Sequence, residues 1–162
     1  CSSYYYYLKF NCIFNTIMSV TLKEIDRNNW EECIELKVNE LQEKFIDSNV
    51  YSLLESKFES SHFPLAIYNN EVMVGFVMHS LYDDSWWITR LMVDRNHQKN
   101  GYAKVAILKV IEILRNKPEC NSIFTSYEPE NLIAEKLYLS LDFEKTGRIE
   151  EGEIILCLTL KD

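Results

Sequence analysis

Residues 86–103 read WWITRLMVDRNHQKNGYA, and this stretch decides how the rest of the chain is organised. Its first eight residues are rich in strand-favouring side chains, and Gly101 then opens an apolar-faced helix. A helix N-terminus leaves backbone N–H groups unpaired and carries about half a positive charge, so it can hold an anion. Because Gly101 lacks a Cβ, a phosphate could approach the backbone there. The stretch predicts a phosphate-binding helix start; the alternative is a surface loop with a helix-capping glycine.

The local charge supports the phosphate interpretation. Residues 95–111 carry four basic side chains and no carboxylate, although the whole chain has a net charge of −8. An anionic ligand is therefore attracted to this segment. One basic segment on an acidic protein is too little positive charge for a nucleic-acid backbone, so we expect no nucleic-acid partner.

The length and composition are those of an ordinary globular protein. The chain has 162 residues, 47% hydrophobic and 26% charged, which suits one domain with a real core. It contains no run of about 18 apolar residues, so we expect no membrane segment. Its five cysteines are an odd number without a Cys-x-x-Cys pair, which argues against a disulfide framework or a metal site. This cysteine usage favours a cytoplasmic location.

The first 17 residues, CSSYYYYLKFNCIFNTI, differ from the rest of the chain. They lack the basic start and small-residue cleavage site of a signal peptide. Met18 follows directly, ahead of a strand-like segment. We therefore predict that residues 18–162 form a single domain and that residues 1–17 are a non-native or upstream extension; the alternative is an additional edge strand.

Several strands precede the first long helix, which favours an antiparallel meander over a doubly wound sheet. The predicted fold is α/β (α+β), with a mixed, mostly antiparallel central sheet flanked by helices. The predicted strands are Val20–Ile25, Leu65–Tyr68, Val72–Met78, Trp86–Val93, Ser122–Tyr127 and a hairpin over Glu144–Thr159. The predicted helices are Trp30–Leu41, Val50–Glu59, Gly101–Asn116 and Asn131–Leu141.

A second motif lies in the last predicted helix. Asn131, Ala134 and Tyr138 fall at i, i+3 and i+7, which places them on one helix face. Tyr138 alone would be interpreted as a core tyrosine. Together with Phe143 and the earlier Gln98–Ala103 segment, however, this pattern resembles the GNAT superfamily of N-acetyltransferases. Asp142 stands where that family usually has glycine, and aspartate also tolerates the left-handed conformation of a helix end.

The resemblance covers nearly all of residues 18–160. It implies the GNAT acyl-CoA N-acyltransferase fold and transfer of an acetyl group from acetyl-CoA to a small-molecule amine. The family's fourth strand pairs with the pantetheine arm, and its glycine loop holds the pyrophosphate. The residues that the resemblance assigns to acetyl-CoA are Leu91, Met92, Val93, Gln98, Lys99, Asn100, Gly101, Tyr102, Ala103 and Asn131.

The resemblance makes Tyr138 the general acid that protonates the departing thiolate. A phenol of pKa about 10 protonating a thiolate of about 8.5 is uphill by roughly 2 kcal/mol. The attacking amine must also lose a proton. Relatives that acetylate polyamines often place a carboxylate at the position of Thr89, so Glu128 is our substitute candidate; the alternative for Glu128 is a helix-flanking acid. We interpret His79 and His97 as structural.

The arrangement most resembles bacterial spermine/spermidine (diamine) N-acetyltransferases. Ten acidic residues lie between Met18 and Phe63, either on solvated helix faces or around a polycation site. Alternative acceptors are a protein N-terminus or another small amine, and a different class of function is a non-catalytic acetyl-CoA-binding module. Dimers are common in the family, and the final hairpin could supply a homodimer interface.

Overall fold

The computed structural model describes residues 15–17 and 19–160. Residues 15–17 and 19 are helical, and seven strands, four further α-helices and one 3₁₀ helix follow. The strands are β1 (Val20–Glu24), β2 (His62–Asn69), β3 (Val72–Tyr82), β4 (Ser85–Val93), β5 (Ser122–Tyr127), β6 (Glu144–Glu150) and β7 (Glu153–Thr159). The helices are α1 (Trp30–Glu35), the 3₁₀ helix (Glu40–Phe45), α2 (Asn49–Phe58), α3 (Tyr102–Arg115) and α4 (Leu132–Leu139). The predicted extension of residues 1–17 lies outside the described residues except for 15–17.

The strands form one sheet in the order β1-β2-β3-β4-β5-β7-β6. Every neighbouring pair is antiparallel except β4 and β5, which run parallel. The prediction of a mixed, mostly antiparallel sheet is therefore confirmed. Its turns use the residues that tolerate a positive φ: Asn70 has a φ of 52°, and Asp83 and Asp84 have φ values of 44° and 60°.

Apolar side chains cover both faces of the sheet, in two separate cores. On one face, the apolar stripe of α3 packs on the strands through the buried residues Ala106, Ile107, Val110 and Leu114. On the other face, Cys33 of α1 packs with Ala66, Met73, Phe76 and Met92. Successive side chains of β3 point to opposite faces of the sheet, so this apolar strand contributes to both cores.

The first predicted helix is shorter than expected. The helical spacing predicted a helix from Trp30 to Leu41, but α1 ends at Glu35 and the chain becomes extended at Leu36. The reason is tertiary: the backbone N–H of Lys37 donates to Asp94 Oδ2 at 2.9 Å, and its carbonyl accepts from Arg95 N at 2.7 Å. These bonds use the two groups that a continuing helix would need.

The last helix ends as the residue types predict. Asp142 has a φ of 65°, and Phe143 N donates to the carbonyl of Tyr138 at 3.2 Å. Aspartate therefore replaces the usual glycine at this helix end without loss of the left-handed turn.

Candidate active site

The two parallel strands in the middle of the sheet separate part of the way along their length. β4 and β5 pair at Trp86 with Ile123, Trp87 with Phe124 and Ile88 with Thr125. Within residues 19–160, no strand pairs with this side of β4 beyond Ile88. Leu91, Met92 and Val93 pair only with β3, so their outward backbone groups face a gap that an extended ligand could fill.

A β-bulge marks the point of separation. Met78 lies opposite Arg90 and His79 lies opposite Ile88, which leaves Thr89 as the extra residue of β4. The Thr89 hydroxyl lies 2.9 Å from Ser80 Oγ and 3.2 Å from the carbonyl of Met78. Its side chain therefore ties β4 to β3.

The loop between β4 and α3 has the geometry of an anion site. Lys99 and Gly101 have φ values of 65° and 79°, and α3 begins at Tyr102 without a side-chain cap. The first intrahelical bond runs from Val105 N to the carbonyl of Gly101 at 3.2 Å. The backbone N–H groups before Val105 therefore have no acceptor within the helix. A Cβ placed on Gly101 would have no atom within 4 Å, so the space above the loop is open. These features fit a phosphate group.

Gln98 is placed differently from the other loop residues. Its side-chain amide donates to Gln42 Oε1 at 2.8 Å and to the carbonyl of Val93 at 3.0 Å. Its side-chain oxygen accepts from Asn39 Nδ2 at 2.9 Å. The Gln98 side chain therefore fastens the loop to the 3₁₀ helix, and only its backbone remains for an anion.

Asp94 is the second residue that holds this loop, and the sequence did not reveal it. It is buried, and its two oxygens accept from the amides of Lys37 and Asn96, both at 2.9 Å. Burial would raise the pKa of Asp94, but these two backbone hydrogen bonds, together with the nearby His97 and the Asn96 side chain, hold the pKa below its ordinary value. The one available signal was the position of an aspartate directly after a buried strand.

Tyr138 lies under the point where β4 and β5 separate. It is 5% exposed and packs edge to face on Phe143, with ring centroids 5.3 Å apart. Burial raises the pKa of Tyr138 to about 12, opposed in part by a hydrogen bond with Thr125. Thr125 Oγ1 in turn donates to the carbonyl of Ile88 at 3.0 Å. A short chain of contacts therefore joins the phenol to the last paired residues of the two strands.

Asn131 is the N-cap of α4. Its side-chain oxygen accepts from Ala134 N at 3.2 Å. The asparagine amide group also carries two N–H donors, so capping leaves Asn131 able to donate to a ligand.

An acidic cleft of about 470 Å³ opens beside the separated strands. We use this name for the cleft lined by Asp47, Arg90, Glu128, Pro129, Glu151, Gly152 and Glu153. Four carboxylates and one guanidinium give these residues a net charge of −3. Glu128 was singled out from the sequence, whereas Asp47 was one of ten acids without distinction. The acidic turn before β7 was a signal that sequence reasoning missed.

His79 lies away from both regions. It is 4% exposed, stacks on Phe63 at a centroid distance of 5.1 Å and lies 5.9 Å from the Trp86 ring. Burial, and then the charge of Lys117, lower the pKa of His79 to about 4. This packing agrees with a structural role.

Residues 15–17 and 19–160 contain neither a metal-binding cluster nor a membrane-spanning helix. No three His, Cys, Asp or Glu side chains in this part of the chain converge as metal ligands would. None of its helices has the length and apolar character needed to cross a bilayer.

Residues 25–143 match the Acetyltransferase (GNAT) family, so the chain belongs to that family and is an acetyl-CoA-dependent N-acetyltransferase. A spermine/spermidine N(1)-acetyltransferase of Bacillus subtilis (strain 168) is 26% identical over 148 residues, which cover 86% of this chain and 97% of that protein.

Solved structures share the fold. A spermidine N-acetyltransferase from Vibrio cholerae, in complex with CoA and spermine, matches with a TM-score of 0.70 at 14% identity, over 88% of this chain and 96% of that one. An aminoglycoside acetyltransferase in complex with coenzyme A matches with a TM-score of 0.71 at 18% identity, over 87% of this chain and 95% of that one. At these identities the likeness concerns the fold.

Proposed function

We propose that this enzyme acetylates a primary amine of a polyamine such as spermidine or spermine. The observation that carries this proposal is the acidic cleft, with its net charge of −3, beside the gap between β4 and β5. A polyamine carries several ammonium groups on a flexible apolar chain, so it is attracted by such a cleft. The Bacillus relative named for spermine and spermidine supports the same acceptor.

The gap beside the end of β4 fits the pantetheine arm of acetyl-CoA, and the glycine loop, residues 95–104, fits its pyrophosphate. Backbone groups of Leu91, Met92 and Val93 would pair with the pantetheine arm as an added strand does. The amides from Gln98 through Ala103 would hold the pyrophosphate, with Lys99 near a phosphate and Asn131 donating to the pantetheine. Acetyl-CoA supplies the acetyl group as a thioester.

The proposed reaction is direct attack of the amine nitrogen on the acetyl carbon. The new N–C bond forms as the C–S bond breaks. Glu128 takes one proton from the ammonium through water, Tyr138 protonates the departing sulfur, and the second proton lost by the nitrogen returns to the Tyr138 phenolate. With the pKa of Tyr138 near 12, complete proton transfer to a free thiolate of pKa about 8.5 is uphill by about 5 kcal/mol. The phenol therefore transfers its proton only as the C–S bond breaks, when the nitrogen that is losing a proton can restore it.

A protein N-terminus or another small amine is the alternative acceptor, and the shared fold of an aminoglycoside acetyltransferase keeps that class in the test. We place the enzyme in the cytoplasm. A homodimer is also proposed, because β6 is a sheet edge and every residue from Glu144 to Glu150 is exposed.

The test measures thiol release from acetyl-CoA with a panel of amines: spermine, spermidine, putrescine, a peptide with a free N-terminus and an aminoglycoside. We expect spermine or spermidine to give the highest kcat/KM. Preference for the peptide or the aminoglycoside would overturn the polyamine proposal. If no amine stimulates release while acetyl-CoA still raises the melting temperature, a non-catalytic module becomes the better account.

The role of Glu128 is tested with a matched pair of variants. Glu128→Gln should lower kcat at neutral pH, with a smaller loss at high pH, where more of the amine is already neutral. Glu130→Gln is the control, because Glu130 lies two residues away and pairs with Lys44 at 2.7 Å. Equal effects of the two changes would refute the base role.

A further inference from the structure

Among the described residues, Arg90 is the one cation that lines the acidic cleft. Its Nη2 lies 2.7 Å from Asp47 Oδ2 and 3.5 Å from Glu55 Oε2. Its Nη1 donates to the carbonyl of Thr89, the bulge residue, at 2.8 Å. The side chain is 21% exposed, so it is held by three acceptors rather than free in solvent.

These contacts divide the carboxylates around the cleft into two sets. Asp47 and Glu55 share one guanidinium, so this trio of side chains keeps a net charge of only −1. Glu128, Glu151 and Glu153 form no ion pair with any described residue, although Ser126 Oγ donates to Glu153 Oε2 at 2.7 Å. An ammonium group entering the cleft therefore meets three carboxylates without an ion-pair partner on one side, and on the other side two carboxylates whose charge is half offset by a fixed guanidinium.

The guanidinium cannot easily move away from this place. Its planar fork bonds a backbone carbonyl and a carboxylate at the same time, which fixes its direction better than a lysine ammonium would be fixed. The carbonyl that it holds belongs to the bulge peptide at the separation of β4 and β5. Arg90 therefore joins the Asp47 carboxylate of the cleft to the Thr89 carbonyl beside the gap.

We infer that Arg90 determines acceptor specificity: it occupies the Asp47 and Glu55 side of the cleft and so limits how many ammonium groups of one amine the cleft can bind. This inference rests on the proposed amine acceptor. Removing the guanidinium leaves the Asp47 and Glu55 carboxylates without their shared cation, which favours long polycations over short ones. A merely structural Arg90 predicts the same loss for every amine.

The test is the dissociation constant of putrescine, spermidine and spermine, measured by calorimetry at low salt. Exposed ion pairs are weak, so the Kd ratio of putrescine to spermine should rise about three- to tenfold in Arg90→Gln. It should stay near the wild-type value in Arg90→Lys, which keeps the charge. Arg115→Gln, the same change of net charge at the end of α3, is the control and should leave the ratio unchanged.

An unchanged or smaller ratio in Arg90→Gln overturns the inference. If that variant does not fold, the same change is made in an Asp47→Asn background, which leaves fewer unpaired carboxylates; the ratio must again rise, by about two- to threefold, relative to Asp47→Asn alone. Failure of the proposed function is recognised separately. A wild-type protein that binds the amines with this charge dependence but releases no thiol refutes the polyamine reaction and leaves the role of Arg90 standing, whereas one that binds none of the amines refutes both.

Discussion

The glycine loop directly follows β4 and the acidic cleft includes Arg90 of that strand, yet the two regions are assembled in opposite ways. The glycine loop comes from one continuous stretch, residues 95–104, and offers mainly backbone N–H groups. The acidic cleft collects side chains from four separate parts of the chain, around residues 47, 90, 128 and 151–153. A continuous backbone site can be recognised from its sequence, whereas a cleft of scattered side chains exists only after folding.

The two regions also differ in what a mutation should change. The loop should govern the affinity for acetyl-CoA, and the cleft should govern the choice of amine. Tyr138 belongs to neither region and contacts Thr125, where β4 and β5 separate, so it should affect the chemical step alone. The following variants test this division.

Tyr138→Phe should have the largest effect, lowering kcat about a hundredfold without abolishing turnover. Loss of one proton donor removes a part of the catalysis, while the bound geometry remains. The measurement is steady-state thiol release with both substrates varied. Tyr68→Phe, at another buried tyrosine on β2, is the control and should keep full activity. Unchanged turnover in Tyr138→Phe would refute the acid role.

Gly101→Asp should raise the KM for acetyl-CoA about 10- to 100-fold, because a carboxylate at the start of α3 repels the phosphates and competes for the amides. Aspartate tolerates the left-handed φ of 79°, so the fold should survive. Gly101→Asn is the neutral control of equal size and should raise this KM far less. The KM for the amine should not change, and a parallel rise in both KM values would contradict the division between the regions.

Asp94→Asn should lower the stability of the protein and the affinity of the glycine loop for acetyl-CoA, although Asp94 itself need not touch the ligand. The change removes the charge that accepts the amides of Lys37 and Asn96, so the free energy of unfolding should fall by about 2 kcal/mol. The KM for acetyl-CoA should rise about fivefold. Urea unfolding and steady-state kinetics measure the two effects. Asp83→Asn, at the exposed β3–β4 turn, is the control. A stable variant with an unchanged KM would show that Asp94 does not position the loop.

The smallest effect on activity is expected at His79, whose titration should change stability instead. The pKa of His79 is lowered to about 4 in the folded protein, and an unfolded histidine titrates near 6.5. The unfolded chain therefore binds a proton first, so stability is complete above pH 6.5 and falls by up to about 3 kcal/mol as the pH drops toward 4.

Urea unfolding at pH 7.5 and pH 5 measures this difference, and His79→Asn should reduce it. The kcat at pH 7.5 should stay within about twofold of the wild-type value, because His79 touches neither region. An equal loss of stability in both proteins would assign the acid sensitivity to other groups.

The sequence predicted the elements that have a local signature. The turn at Asp83 and Asp84, the apolar face of α3 and the left-handed Asp142 each follow from residue types within a few positions. The prediction of a helix as far as Leu41 was wrong because the end of this helix depends on residues far away in the sequence. Its end at Glu35 is set by Asp94 and Arg95, which lie almost sixty residues further along the chain.

The candidate site shows the same difference. The sequence by itself determined the family motifs, the glycine at the start of α3 and the placement of Asn131 and Tyr138 on one helix, because each depends on helix periodicity or backbone conformation. Only the tertiary structure decided that Gln98 fastens the loop, that Arg90 pairs with both Asp47 and Glu55, and that Glu128 shares a cleft with the β6–β7 turn. Electrostatic contacts depend on distance in space, and strand order brings together charges that the sequence keeps far apart.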